Sequence, residues 1–253
     1  MPHNASDHRA VAGDETSDFR VAHRSACITL LYGSIDMVDG VPVEPYYDKD
    51  GITIYCGDCR KILPWLGRFD LLLTDPPYGI GANKMTLGNG KRRLYRGEGD
   101  WDSAPPRRWQ IEMMIEMADQ SILWGGNYFA LPETRCVLVW DKGTGDNDFA
   151  DCEIAWTNLD KVVKKHFQSW VGANAKDHNG SRVHPTQKPL GLMKWCLSLV
   201  PDAKTVVDPF MGSGTTLVAA RDEGLSAVGV ERDEKYCEMA VKRLAQSVLP
   251  FAV

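Results

Sequence analysis

From Gly51 onward, short apolar runs alternate with amphipathic stretches, whereas residues 1–45 sustain no hydrophobic period and begin with twenty largely polar positions. The first part reads as an extension with little order of its own, and 46–253 as the folded domain. Ile52-Thr53-Ile54-Tyr55 is a β-branched run that predicts a strand, followed by a turn and a helix from Arg60 to Leu66. Phe69–Thr74 (FDLLLT) is continuously apolar, the mark of a strand buried on both faces of a parallel sheet. It ends at Asp75-Pro76-Pro77-Tyr78. Residues 79–104 hold six glycines and predict a long loop. A helix is expected from Arg107 to Asp119, just after Pro105-Pro106. Strand-like runs follow at Ser121–Trp124, Cys136–Trp140, Cys152–Trp156 and Lys161–Phe167. Helical period returns in Leu190–Leu199, then a strand at Thr205–Val207, a glycine turn, and a helix at Thr215–Asp222. Ala227–Val230 is another buried strand, and the last helix runs from Glu234 to Ser247. Strands alternating with helices predict an α/β three-layer sandwich around a mainly parallel sheet.

At 253 residues such a chain can bury a full core in one domain. Its 43% hydrophobic and 25% charged residues are ordinary for a soluble globular protein. No apolar run approaches the roughly 18 residues that span a bilayer, and Asp7, Asp14 and Glu15 sit where a signal peptide would be apolar. A cytoplasmic protein is expected, with no membrane partner. Seven scattered cysteines argue against a disulfide framework. Cys56-Gly57-Asp58-Cys59 has the spacing of a redox dithiol or half a zinc site, but zinc wants a second pair and Cys136 and Cys152 are not one. The preferred reading is two half-buried thiols at a strand end, with no metal. A net charge of −5 argues weakly against coating nucleic acid. Two segments run against that total. One, within 84–108, includes Lys91, Arg92, Arg93 and Arg96; the other, within 160–188, includes Lys164 and Lys165. Both flank the candidate chemistry.

Asp208-Pro209-Phe210-Met211-Gly212-Ser213-Gly214 joins a strand to a helix, a nucleotide-binding layout. Glycines let backbone approach a ligand, and the helix start offers free N–H groups. Glu231 ends the next strand, 17 residues after Gly214, where a carboxylate can accept from two ribose hydroxyls. The bland alternative is a Glu that only caps the final helix. No Gly-Lys-Ser/Thr follows, so this is no Walker loop. A dehydrogenase would want a third glycine where Leu217 stands.

Asp75-Pro76-Pro77-Tyr78 lies at the carboxyl end of a buried strand, where open α/β sheets place active sites. Two prolines fix the backbone and remove N–H donors, leaving carbonyls to point outward. An aromatic amine must pyramidalise to attack a methyl sulfonium. A carboxylate and a backbone carbonyl that accept its two N–H bonds favour that change. Asp75 and the Pro76 carbonyl can do so, and the Tyr78 ring can stack on the base.

These residues resemble the β-group amino-methyltransferases of DNA, whose catalytic motif precedes the cofactor motif. His184-Pro185-Thr186-Gln187-Lys188-Pro189 is a further hallmark of that group, and the matches run from about residue 46 to 246. The resemblance implies a class I, Rossmann-like methyltransferase fold with permuted motif order and a mixed sheet, Cys152–Trp156 and Lys161–Phe167 forming its antiparallel end. It implies S-adenosylmethionine as cofactor, with Thr186 and Lys188 at its methionine end and Asp58 near its adenine. The full set expected at the cofactor is Asp58, Asp75, Thr186, Lys188, Asp208, Phe210, Gly212, Ser213, Gly214, Thr215 and Glu231.

Within this group Asp-Pro-Pro-Tyr usually accompanies N6-adenine, and enzymes of N4-cytosine more often begin with Ser. Adenine in double-stranded DNA is therefore the expected target, with N4-cytosine the alternative. A non-catalytic cofactor- or DNA-binding partner subunit is the alternative of another class. The base must flip out to reach Tyr78. Trp124, Tyr128, Phe167 and Trp170 are candidates for its second stacking partner. Lys91, Arg92, Arg93, Arg96, Lys164 and Lys165 are expected on DNA, through loop 79–104 and a small recognition segment at 158–183. The expected setting is bacterial or phage, as monomer or homodimer.

Overall fold

The computed structural model describes residues 44–81, 86–88, 93–96, 102–144, 150–169 and 187–246. The first half of the chain gives β1 (Tyr47–Lys49), β2 (Ile52–Cys56), α1 (Cys59–Ile62) with a 3-10 turn (Leu63–Trp65), β3 (Phe69–Thr74), β4 (Thr86–Gly88), β5 (Arg93–Arg96) and α2 (Arg108–Glu116). The second half gives β6 (Ala118–Trp124), a 3-10 turn (Gly126–Tyr128), β7 (Val137–Asp141), β8 (Cys152–Thr157) and β9 (Lys164–Phe167). It closes with α3 (Leu190–Ser198), β10 (Thr205–Asp208), α4 (Thr215–Asp222), β11 (Ser226–Glu231) and α5 (Glu234–Leu244).

Nine strands form one sheet in the order β1-β2-β11-β10-β3-β6-β8-β7-β9. The run from β2 to β6 is parallel throughout. The apolar pattern explains why. Leu71 and Leu73 of β3 enter a core with α3, α4 and α5, while Leu72 enters a second core with α1 and α2. A strand covered on both faces reads as an unbroken apolar run. From β10 the chain goes next to β11 on one side, while β3 lies on the other, so strand order reverses between β10 and β3. That reversal opens a crevice at their carboxyl ends. β3 precedes β10 and β11 in sequence by more than 130 residues yet lies directly beside β10 in the sheet.

Three expectations are corrected. Of the two strands expected to run antiparallel at the sheet end, only β8 does, pairing antiparallel with β6 and β7. β9 starts at Lys164 and runs parallel to β7, because a short connection after the reversed β8 returns the chain to the majority direction. The helix expected to reach Asp119 ends at Glu116, and Ala118 already pairs with Phe69 in the sheet. Ladder formation on β3 overrides local helix propensity there. Finally, loop 79–104 contains a hairpin, β4 against β5, with Leu87 opposite Tyr95. Asn89-Gly90 between them is a hairpin-favouring dipeptide that glycine content alone conceals. The ends of this segment are tied together, since the buried Asp102 accepts the Gly79 N–H at 2.7 Å.

Candidate active site

The glycine turn after β10 is built as its sequence suggests. Gly212 and Gly214 adopt φ of +51° and +78°, where a side chain is disfavoured. A Cβ on Gly214 would lie 2.7 Å from the Ala240 Cβ of α5, so the helix could not approach as closely. A Cβ on Gly212 would meet nothing within 4 Å, so that backbone faces open space. Glu231 at the end of β11 accepts the Gly212 N–H at 3.1 Å and the Asp233 N–H at 2.8 Å. Its carboxylate therefore shapes the turn, and burial raises it above the ordinary carboxyl range. Ser213 and Thr215 are buried, and Arg243 donates to the Ser213 carbonyl at 2.7 Å and to the Thr215 hydroxyl at 3.0 Å. Asp208 is buried and accepts from the Thr74 hydroxyl (2.7 Å) and the Phe210 N–H (3.1 Å). It stitches β10 to β3, and burial pushes it up to about 6. Asp58 caps α1 and pairs with Arg60, whose hydrogen bonds hold its carboxyl low.

One strand away, Asp75 and Tyr78 stand beyond the end of β3. The Tyr78 hydroxyl donates to Asp75 Oδ1 at 2.5 Å, and the Lys188 ammonium donates to Oδ2 at 2.5 Å. Burial pushes the Tyr78 phenol well above its ordinary value, reinforced by Asp75, so it remains a proton donor. Burial also raises the Asp75 carboxyl, opposed by the Lys188 charge. The Tyr78 ring stacks on Tyr128 with centroids 4.7 Å apart and planes 13° from parallel. It lies against Gly125, where a Cβ would fall 2.1 Å from Tyr78 Cε1. Among the stacking candidates, Trp124 is fully buried against Trp140, and Phe167 stands exposed on β9. Trp170 lies outside the described residues.

Thr186, Lys91 and Arg92 lie outside the described residues as well. Arg93 and Arg96 fall on β5. Lys164 and Lys165 are exposed on β9, and Lys165 pairs with Asp141 at 3.1 Å. Pro76 is buried behind Asp75, and Pro77 is half-buried. Of the cysteine pair, burial pushes the Cys59 thiol up to about 12, far from a thiolate.

Two features were missed in the sequence. One is the Gly125-Gly126 doublet, in which Gly125 lies against the Tyr78 ring and Gly126 against Trp156; a glycine pair directly after an apolar strand was the available signal. The other is Glu153 on β8. It accepts from Lys142 at 2.6 Å and lies 3.0 Å from Lys188. A lone acid in the run Cys-Glu-Ile-Ala-Trp was its only mark.

A family model described as DNA methylase matches residues 113–242, from α2 through α5. The chain is 23% identical to a type II methyltransferase of Lactococcus lactis subsp. cremoris (M2.LlaDCHI), over 84% of this chain and 94% of that one. It is likewise 23% identical to M2.DpnII of Streptococcus pneumoniae, over 84% and 95%. A shorter stretch of 72 residues is 43% identical to M.HinfI of Haemophilus influenzae, covering 28% of this chain and 20% of that one. Among solved structures, the PvuII DNA methyltransferase (cytosine-N4-specific) shares the fold at TM-score 0.56 and 14% identity, over 83% of this chain and 92% of that one. The M1.HpyAVI complex with S-adenosylmethionine does so at 0.50 and 20%, over 77% and 100%.

Proposed function

Because this chain belongs to the DNA methylase family, whose model spans just over half of it, we propose that it methylates the N6 amino group of adenine in double-stranded DNA. It is a DNA methyltransferase that uses S-adenosylmethionine. When bound, that cofactor supplies an electrophilic methyl carbon on a positively charged sulfur. Glu231, Asp58, Lys188 and the turn 212–214 are the residues that would hold it. The observation that supports the reading is that Asp75 lies just beyond the end of β3, the strand paired with β10, whose own end leads into this turn.

The chain's own residues then divide the work. Asp75 accepts an N–H of the flipped amine and favours the pyramidal nitrogen that can attack. For this it must release one of its two present donors, Tyr78 or Lys188. The Tyr78 face takes the base, and the exposed Tyr128 is the residue on which the base's other face would rest, after the present stack opens. Positioning and hydrogen bonding suffice for an amine whose lone pair need only be freed from its ring, so no protein nucleophile is required. Thr186 would join Lys188 at the methionine end, and DNA would lie across the 79–104 segment and the region 158–183. Bacterial relatives make a cytoplasmic bacterial or phage setting the natural one; no helix among the described residues is long and apolar enough to cross a membrane. We assign the working form as a monomer or homodimer.

The test is to incubate the protein with methyl-labelled cofactor and DNA, digest to nucleosides, and identify the product. N6-methyladenine is expected, and Asp75→Ala should lose more than about 99% of turnover while staying folded, on the scale of losing a group that acts in the transition state. N4-methylcytosine as the product would replace adenine by cytosine. Near-normal turnover in the variant would sink Asp75 as the acceptor.

A further inference from the structure

Beneath Asp75 runs a line of alternating charges, Lys142–Glu153–Lys188–Asp75, ending on the Tyr78 hydroxyl. Glu153 Oε1 is 2.6 Å from Lys142 Nζ, and its Oε2 is 3.0 Å from Lys188 Nζ. Lys188 Nζ reaches Asp75 Oδ2 at 2.5 Å and the Tyr78 hydroxyl at 3.2 Å. The side chain of Lys188 is only 5% exposed, that of Lys142 10%, and those of Asp75 and Glu153 19% and 23%. Below them lie aromatic rings: Lys188 sits 5.5 Å from the Tyr78 ring centre and 5.9 Å from that of Trp124, and Lys142 sits 5.2 Å from that of Trp140. Two cations and two anions balance, as buried charges must.

A buried lysine beside one carboxylate would need no second anion for its own neutrality. Here Lys188 has two, and they come from different strands. Glu153 is on β8, two places from β3 in the sheet. We propose that Glu153 is a positioning residue for methyl transfer, anchoring the Lys188 ammonium so that it is shared between two carboxylates and Asp75 can release it in favour of the target amine. This rests on the reading of Asp75 as that acceptor. Without the Glu153 charge, Lys188 would keep Asp75 as the one carboxylate of this line beside it. Lys188 would then be held by Asp75 alone, making that carboxylate a weaker acceptor.

The electrostatics agree. Burial alone would raise Glu153, but Lys188 and Lys142 outweigh it and hold the carboxyl at about 2. Glu153 is therefore a fixed anion across the working pH range. For Asp75, burial is the largest influence and raises it, Lys188 lowers it, and the Glu153 charge raises it again. Among the described residues the groups facing Asp75 are Lys188 before α3, Tyr78 from its own turn, Glu153 from β8 and Asp208 from β10.

The experiment uses Glu153→Gln, which keeps shape and removes charge. Turnover should fall tenfold or more, while KM for DNA stays within about threefold. The acid limb of the kcat profile should move to lower pH, since Asp75 loses an anionic neighbour. A packing residue would lower stability without moving that limb. Asp75 itself is followed by carbon-13 titration of labelled aspartates, its signal assigned by its absence in Asp75→Asn. This readout works whether or not the preparation turns over, so it separates failure of this role from failure of the methylation reading. A downward shift in Glu153→Gln supports the role; an unmoved Asp75 titration overturns it. Should that variant not fold, Lys142→Met with Glu153→Gln restores balanced charge, and the same two outcomes apply to it.

Discussion

Asp75 and Asp208 are carboxylates at the ends of neighbouring strands, and their partners give them opposite tasks. Asp75 is met by a cation and a phenol, so it is an anion with exchangeable donors. Asp208 is met instead by the Thr74 and Thr216 hydroxyls and a backbone N–H. Its folded value of about 6 lies above the unfolded value near 3.8. Below the lower value both states bind the proton and no penalty arises. As pH rises through the window between them, the folded state resists ionisation and stability falls, by up to about 3 kcal/mol. Asp208→Asn keeps the accepting oxygen and removes the charge. Urea midpoints of the variant should therefore gain on the parent between pH 4 and 7, and parallel curves would show that Asp208 is not so perturbed. Glu231 offers a second residue-scale test. Replacing it by Ala should weaken cofactor binding by about 1.5–3 kcal/mol, the range for hydrogen bonds to charged groups. Calorimetry reads this directly, and unchanged affinity would reduce Glu231 to a brace of the Gly212 turn. The positions of Asp75 and Asp208 were legible in the sequence because each closes an apolar run and is followed by proline. Glu153 was not legible. An acid in a strand reads as solvent-facing, and only the fold brings Lys188, 35 residues later in the chain, against it.

At the scale of elements, continuous apolar runs gave β3, β10 and β11, since strands covered on both faces carry their burial in every residue. The errors fell where pairing decides. Ala118 and Asp119 suit a helix end, but the edge of β3 was available to them. The hairpin β4–β5 hid among glycines. The Gly125-Gly126 corner went unread for a related reason: its need for glycine comes from Tyr78 and Trp156, both distant in sequence. That corner can be tested alone. Gly125 has φ of +75°, so Ala there costs about 1–2 kcal/mol of backbone strain before any contact is counted. Its Cβ would also strike the Tyr78 ring at 2.1 Å. Gly125→Ala should fold with a lowered melting temperature, retain cofactor binding, and lose at least tenfold in turnover as Tyr78 is displaced. Full activity would mean the ring has room to move and that its present seat is immaterial. The Tyr78–Tyr128 stack should weaken with it, visible as a change in tyrosine emission.

The whole molecule carries a net charge of −5, yet its proposed partner is a polyanion. The sheet order eases this conflict. From β3 to β9 there are four inter-strand steps, about 19 Å at the usual spacing. β9 runs with the majority, so its carboxyl end lies on the same edge of the sheet as the catalytic turn. Exposed Lys164 and Lys165 stand at the start of that strand, about 7–10 Å short of its carboxyl end. A duplex whose target base enters beside Tyr78 would meet them by reaching over the carboxyl end of β9. Lys165 now pairs with Asp141, but an exposed pair of this kind is worth at most about 1 kcal/mol and yields readily to a phosphate. Each phosphate contact contributes about 0.9 to the slope of log affinity against log salt. Arg92→Ala with Arg93→Ala should then flatten the slope by up to about 1.8, and Lys164→Ala with Lys165→Ala by a similar amount. Cofactor affinity without DNA should not change in either. Were the arginines only keeping a surface segment soluble, slope and affinity would both match the parent protein. Loss of cofactor binding with an unchanged slope would remove the segment 79–104 from the DNA interface and assign it to the cofactor pocket.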